Sequence, residues 1–517
     1  MNSKKTHRLA AVIHIDSNAL KIKIAQLKKG EISDIDILEY PMQLGHEVFK
    51  DGKISFKSLR ELSSHLHGYQ EVLADYAVKD VKTVATTALR EAENRSFIMD
   101  QLKIQNGIPV TVLEDNQEKS LIYWEILNHL GKMEQIKNDS ALICYIGAGS
   151  IGLAVYDGKE IIHSQNIPIG SLRIHDMLDH IQTITENFDT VIEEYISSIL
   201  WHINISLGSG KANHLILTGN GVRLIGKICA LDLTDGIYEL EALRLHTCYE
   251  EIRNMPQNQI SQKYNLSEET AELLYSSMAI AIKLLEYTTS ATILTPNVDL
   301  WDALICQMLI PKSREQYQQH VRTSATACAR RIADYYCCNR AHTECVREFS
   351  CKIFDKMKKV HGLDCNERLL LELAAILHEC GHYVTAKQHL QSTFDIIKDT
   401  DIYGLTNEEI LLTAFVARHN EYDVPNPQNT SFASLSDKNR LIVSKLVAIF
   451  RLANALDKSQ KQKLSNIKVR FENNHLTISA QCDTNVYLEQ WAFAQCAPYF
   501  EEVFGFQTEL ILKSNLL

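Results

Sequence analysis

The chain has 517 residues, 45% hydrophobic and 23% charged, with a formal net charge of −11. That length supplies several globular cores, and the acidic balance disfavours non-specific attachment to nucleic acid or to an anionic membrane, so a polyanionic ligand needs a local cationic groove. The opening MNSKKTHRLAAVIHID has an apolar run too short for a secretory core, and no run reaches the ~18–20 apolar residues of a membrane span.

Residues 9–15 and 20–26 read as strands around the turn Asp16-Ser17-Asn18-Ala19, and the apolar–basic alternation of LKIKIAQ predicts one exposed face. An amphipathic helix follows over 55–77, then the strand VKTVAT, a helix over 88–103, the strand VTVLE and the helical QEKSLIYWEILNHL. At residue 141 a second β-turn-β unit opens, ALICYIGAGSIGLAVYDG, with EIIHSQNIPIG as a third strand. The two halves therefore begin alike and are expected to face a shared cleft. Residues 213–229 form a strand, a Gly219-Asn220-Gly221 turn and a helix start, and the pattern from about 260 to 310 is helical. Amphipathic helices run from 314 to about 460. A hairpin across Glu472-Asn473-Asn474, a helix and a last strand close the chain. Thirteen irregularly spaced cysteines, Cys337–Cys338 among them, read as reduced thiols of a cytoplasmic protein, and the adjacent pair as buried thiols.

The turn at Gly147-Ala148-Gly149-Ser150 suits close approach of backbone amides to a phosphate. Its setting carries a resemblance. VATTALREAENR (84–95), SN (17–18), EKSLIY (118–123), IGAGS (146–150), IPIGSLR (167–173) and GNG (219–221) follow the motif order of the exopolyphosphatase/guanosine-pentaphosphate phosphohydrolase (Ppx/GppA) family. LLLELAAILHECGH (369–382) and RLANALDKS (451–459) resemble its long form with an HD-like helical domain. The resemblance implies a two-lobed actin/hexokinase-like α/β fold over 1–135 and 136–312, an all-helical HD-like domain over 313–462 and a small α/β unit over 463–517. It further implies Mg²⁺-dependent removal of a terminal phosphate from polyphosphate or pppGpp, and a homodimer.

Residue by residue, much of the acidic chemistry is absent. The family's IDLGSN is IHIDSN here, its EARLIY is EKSLIY, and its DIGGGSTE is YIGAGSIG. Positions 14, 117, 145 and 152 thus carry His14, Gln117, Tyr145 and Gly152 in place of carboxylates, while Glu118 survives as the catalytic candidate. Mg²⁺ rests on one or two carboxylates plus phosphate oxygens, so turnover by the family mechanism is expected to suffer. The phosphate-binding candidates are Ser17, Asn18, Arg90, Gly147, Ala148, Gly149, Ser150, Arg173, Gly219 and Gly221. Arg90 and Arg173 have structural ion pairs as their alternative.

His14 and Asp16 could share a strand face and hold Mn²⁺ or Zn²⁺; alternatively Asp16 only adopts the turn conformation of the glycine it replaces and repels phosphate. In the helical part the resemblance marks His342, His378 and Glu379 as metal candidates, with Asn454 and Asp457 near the last acidic position and His389 and His419 as further imidazoles. The alternative is ordinary helical histidines. His378-Glu379-Cys380-Gly381-His382 also fits HExxH, but Gly381 is expected to end a helix. The sequence thus points to a polyphosphate or guanosine polyphosphate binder with impaired catalysis. The second possibility is an active hydrolase with a relocated Mg²⁺ or Mn²⁺ site built from Glu118, Asp16 and Asp115.

Overall fold

The computed structural model describes residues 8–131, 138–182, 188–201, 211–229, 236–253, 255–420, 423–426, 428 and 430–514. The chain divides into two compact units between Val321 and Arg322. The first unit holds two sheets. One is built from β1 (Arg8–Ile15), β2 (Ala19–Lys28), β3 (Glu31–Pro41), β4 (Asp80–Ala85) and β5 (Val110–Val112) in the order β3-β2-β1-β4-β5. β1 and β2 pair antiparallel, β1 and β4 parallel.

The other sheet contains β6 (Ala141–Ile146), β7 (Ile151–Tyr156), β8 (Ile161–Ile167), β9 (His214–Thr218), β10 (Ile237–Glu241) and β11 (Thr292–Pro296), ordered β10-β11-β9-β6-β7-β8. Read from β8 to β11 it repeats the first sheet: an antiparallel meander whose first strand pairs parallel to β9, and β9 to β11. The internal repeat expected from the two β-turn-β openings is therefore topological, and it places the 16–19 and 147–150 turns at equivalent points after β1 and β6.

Three local expectations needed correction. The lysines of LKIKIAQ are buried, Lys21 at 2% and Lys23 at 7% exposure, because helix Leu300–Leu309 covers that face. Trp301 stacks under both ammonium groups at 5.8 Å, and Lys23 pairs with Asp302 at 2.6 Å and Asp34 at 2.8 Å. The helix expected over 88–103 is two helices, Thr87–Glu91 and Arg95–Asn106. The Asn94 amide hydrogen-bonds both the N–H and the C=O of Ile54 at the break, a backbone partner that competes with helix continuation. The helical stretch 260–310 contains β11, TILTP, whose β-branched residues suit an interior strand between β10 and β9.

In the second unit helices such as Arg340–Lys356, Cys365–Leu377, Asn407–Arg418 and Asp437–Ala455 pack with a three-stranded sheet, β12 (Leu464–Glu472), β13 (His475–Cys482) and β14 (Gln507–Ser514). One hydrophobic core runs from Val346 and Leu373 through Leu446 to Ile478 and Phe500. Capping boxes at Asp364/Glu367 and Thr406/Glu409 satisfy the first amides of two of these helices. The β12–β13 turn falls at Asn473 and Asn474, both left-handed. No helix among the described residues is long and apolar enough to cross a membrane.

Candidate functional site

At the first turn Asp16 does not take the left-handed conformation expected of a glycine replacement, since its φ is not positive. Its carboxylate instead accepts the Ser17 N–H at 2.7 Å and pairs with the Lys21 ammonium at 3.2 Å. Burial pushes the carboxyl up, but Lys21 and His14 outweigh it and hold Asp16 below its ordinary value. The carboxylate thus sits where an anion would meet the Ser17 amide. His14 turns its Nε2 to the Thr86 hydroxyl at 3.1 Å, and its Nδ1 is buried without a partner.

The second turn remains open. Gly147 N–H is bonded to Ser150 O at 3.0 Å, but no described residue accepts from the amides of Ala148, Gly149 or Ser150. Three consecutive free amides at a small-residue turn form an anion cradle. The first amides of helix Ser171–Gln182 are not part of it, because Ser171 and Leu172 donate to the carbonyls of Gly147 and Ala148 at 3.1 and 3.0 Å. Gly219, with φ 118°, presses against Ile146, whose carbonyl oxygen would stand 2.2 Å from an added Cβ. Helix Asn220–Ile228 starts there and brings Gly221 and Arg223 beside the turn. A cavity of about 560 Å³ is lined by Asn18, Gly147, Ala148, Gly221, Arg223 and Lys227, among others, a size typical of small-ligand pockets.

Beside the cradle, acids and bases are matched in pairs. Glu118, at the start of helix Asp115–Leu130, is buried; its Oε2 accepts from Arg90 at 3.1 Å and its Oε1 from Lys119 at 2.9 Å. Arg90 also donates to Asp115 at 2.6 Å, to the Leu113 carbonyl at 2.7 Å and to Thr87 at 2.9 Å. The ion-pair alternative describes Arg90. Arg173 likewise pairs with Glu91 and lies 4.4 Å over the Phe49 ring. Asp299 pairs with Arg223 at 2.7 Å; burial raises its carboxyl, yet Arg223 and Lys21 bring it well below the usual carboxylate range.

Lys119, Lys21, Arg223 and Asp299 were not foreseen. Lys119 had a signal, since it replaces the alanine of the EARLIY motif. Asp299 had only its place three residues before Asp302, with which it forms a helix-capping box.

These donors do not fit a hard divalent cation. Both oxygens of Glu118 and one each of Asp115 and Asp16 already hold cations, and His14 and Asp16 meet no third ligand among the described residues.

The second unit differs. His342, His378 and Glu379 are the one group of three potential ligands found among the described residues, all ligand atoms lying within 4.8 Å of one another. Nδ1 of His342 faces Asp457 Oδ2 at 2.8 Å, and Nδ1 of His378 donates to the Ala375 carbonyl at 2.9 Å. Their Nε2 atoms face each other at 3.3 Å, with Glu379 Oε1 3.6 Å from His378 Nε2. Such outer partners are what orient metal-binding imidazoles, and this set fits a metal ion such as Zn²⁺ or Mn²⁺. Asp457 supports His342 from outside the group, while the Asn454 amide is spent on the Asn420 carbonyl at 3.1 Å.

His382 is outside the group. The helix ends at Leu377, so the HExxH residues do not share a helical face, and His382 instead stacks on His389 at 4.0 Å. His419 bonds the Phe415 carbonyl at 2.7 Å. The thirteen cysteines are free, but Cys337 is exposed rather than buried, and Cys338 lies 3.6 Å from Cys380 sulfur to sulfur.

Duplicated sheets with equivalent turns after β1 and β6 define a two-lobed, actin-like α/β protein. The chain belongs to the Ppx/GppA phosphatase family, a family of phosphoanhydride hydrolases: residues 23–309 match the family proper and 321–495 its domain III. A guanosine-5′-triphosphate,3′-diphosphate pyrophosphatase of Photobacterium profundum is 19% identical over 463 residues, covering 88% of this chain and 89% of that one. Two crystal structures share the fold. The Ppx/GppA family member of Aquifex aeolicus has a TM-score of 0.51 at 18% identity, over 59% of this chain and 99% of its own. An exopolyphosphatase from Cytophaga hutchinsonii has a TM-score of 0.53 at 17% identity, over 58% and 98%.

Proposed function

We propose that this chain binds a condensed phosphate, inorganic polyphosphate or a guanosine tetra- or pentaphosphate, in the cleft of its first unit, with hydrolysis by the family's metal mechanism impaired. The carrying observation is the contrast between the amides of Ala148, Gly149 and Ser150, from which no described residue accepts, next to a cavity that Ala148 lines with Asn18 and Lys227, and carboxylates already paired with Arg90, Lys119 and Lys21. The ligand class is supported by two relatives, a guanosine-5′-triphosphate,3′-diphosphate pyrophosphatase and an exopolyphosphatase. Ser17, Gly147, Gly149, Gly219 and Gly221 shape the cradle in this reading, and Glu118 holds its neighbouring cations. A cytoplasmic location and a homodimer belong to the same reading, the first supported by the irregular spacing of the thirteen cysteines and the second by the family resemblance.

The test is phosphate release from long-chain polyphosphate and from pppGpp, with Mg²⁺ and separately with Mn²⁺, beside equilibrium binding of each ligand. Binding without release supports the reading. Robust release abolished by Glu118→Gln establishes the alternative, an active exopolyphosphatase or pppGpp 5′-phosphohydrolase.

A second reading concerns the other unit: His342, His378 and Glu379 hold a metal ion there, supported by the two Nε2 atoms facing each other at 3.3 Å.

A further inference from the structure

A buried ammonium is costly unless its protons are matched by acceptors. Lys119 is 1% exposed. Its Nζ lies 2.9 Å from Glu118 Oε1 and 3.7 Å from Asp115 Oδ1, and 4.5 Å from the centre of the Tyr145 ring. Its stem fills the space above Gly152: a Cβ on that glycine would stand 2.9 Å from Lys119 Cγ, 3.0 Å from Cδ and 2.3 Å from the Tyr123 hydroxyl. Three departures from the motifs therefore meet at one point. A lysine stands for alanine, a tyrosine supplies a ring face for its charge, and a glycine stands for the glutamate whose side chain would collide with it.

Positive charge at Glu118 is thus supplied by the chain itself. A divalent ion ligated by the same carboxylate would stand against an ammonium already bonded to it.

We infer that Lys119 is the permanent cation of this cleft, taking the place of a divalent metal, and that its ammonium keeps Glu118 and Asp115 from binding one. The inference rests on the cleft being the anion site proposed above. Restoring carboxylates alone does not reopen a metal site, because the Lys119 stem occupies the room a Gly152 side chain needs. Removing the ammonium does reopen it: Glu118 and Asp115 are then left with Arg90 as the one cation between two carboxylates, a surplus of negative charge.

The experiment is Mn²⁺ binding followed by electron paramagnetic resonance on the full chain, with Glu118→Gln as the reporter of cleft binding. This separates the cleft from any site at His378, which Glu118→Gln leaves untouched. In the unaltered chain the titration is expected to be the same with and without Glu118→Gln. Lys119→Ala gains a Mn²⁺ site that Glu118→Gln removes, with affinity at least about tenfold above the unaltered cleft. Lys119→Met keeps the stem and loses only the charge, so it gives the same gain if Lys119→Ala fails to fold. A Glu118-dependent Mn²⁺ site in the unaltered chain overturns the inference, as does a folded Lys119→Met chain that gains none. Binding of inorganic tripolyphosphate in EDTA is read on the same samples. Its absence in the unaltered chain defeats the anion-site reading whatever the Mn²⁺ result.

Discussion

The Nε2 atoms of His342 and His378 face each other at 3.3 Å, while the Nδ1 atoms of both rings are turned to acceptors, Asp457 and the Ala375 carbonyl. A neutral imidazole whose Nδ1 carries the proton presents a lone pair at Nε2. Two lone pairs aimed at one another repel unless a cation lies between them. Zn²⁺ or Mn²⁺ is therefore expected to raise the melting temperature of the chain, and His378→Ala to abolish the rise. Asp457→Asn, which acts through His342, is expected to weaken metal binding by about 10–100-fold. Identical melting curves with and without metal for the unaltered chain sink this reading.

At the first turn the Asp16 carboxylate takes up the Ser17 amide. Asp16→Gly frees the Ser17 amide, removes a negative charge and leaves Lys21 facing the turn. Tripolyphosphate affinity is expected to rise roughly tenfold at low salt, with the gain shrinking as salt is added. Isothermal titration at two ionic strengths measures it, and an unchanged or weakened affinity shows that ligand does not reach this turn.

Arg90 bonds four groups inside the protein. Arg90→Ala is expected to cost about 3–5 kcal/mol of stability by leaving Glu118 and Asp115 short of a buried partner. Denaturant unfolding reads it directly. A loss below about 1 kcal/mol would place Arg90 among ordinary exposed pairs.

Gly152 and Lys119 share one volume. Gly152→Glu alone is expected to destabilise the chain by about 1–3 kcal/mol through overpacking against Lys119 and Tyr123. Combined with Lys119→Ala, the cost is expected to fall below the sum of the single changes by about 0.5–3 kcal/mol. Strict additivity in the double-mutant cycle contradicts the shared volume.

His419 is buried, and that burial brings its imidazole down to about 4, only partly offset by its bond to the Phe415 carbonyl. A histidine near 6.5 when unfolded and about 4 when folded takes up its proton first in the unfolded chain as pH falls. Its contribution is therefore complete above pH 6.5 and is lost between about 6.5 and 4, amounting to about 3 kcal/mol at the acid end. His419→Leu is expected to flatten the stability profile of the second unit across that window, measured by urea unfolding at stepped pH.

Much of the fold was legible because it rests on local periodicity. The Phe56–Asp75 helix with its Ser55 cap, the strands around both turns and the Asn473–Asn474 hairpin follow from patterns a few residues long. β11 was hidden because five residues between two helices carry too short a signal, and its strand character comes from pairing with β9 and β10. Lys21 and Lys23 read as an exposed face because alternation does not reveal what will cover it. Helix Leu300–Leu309, almost three hundred residues away in the chain, decides that.

The site divides in the same way. By its motif order the sequence alone determined the family resemblance, the two small-residue turns and the absence of carboxylates at 14, 117, 145 and 152. Which charges neutralise one another was decided only in three dimensions. Arg90, Lys119, Lys21 and Arg223 meet Glu118, Asp115, Asp16 and Asp299 through packing of separate helices and strands. A buried charge is set by the partner that shares its low-dielectric surroundings, and neighbours in sequence do not specify that partner. Lys119 shows the limit most plainly: in the sequence it is one basic residue in a helix, and only its fit above Gly152 and against Tyr145 makes it the cation of the cleft.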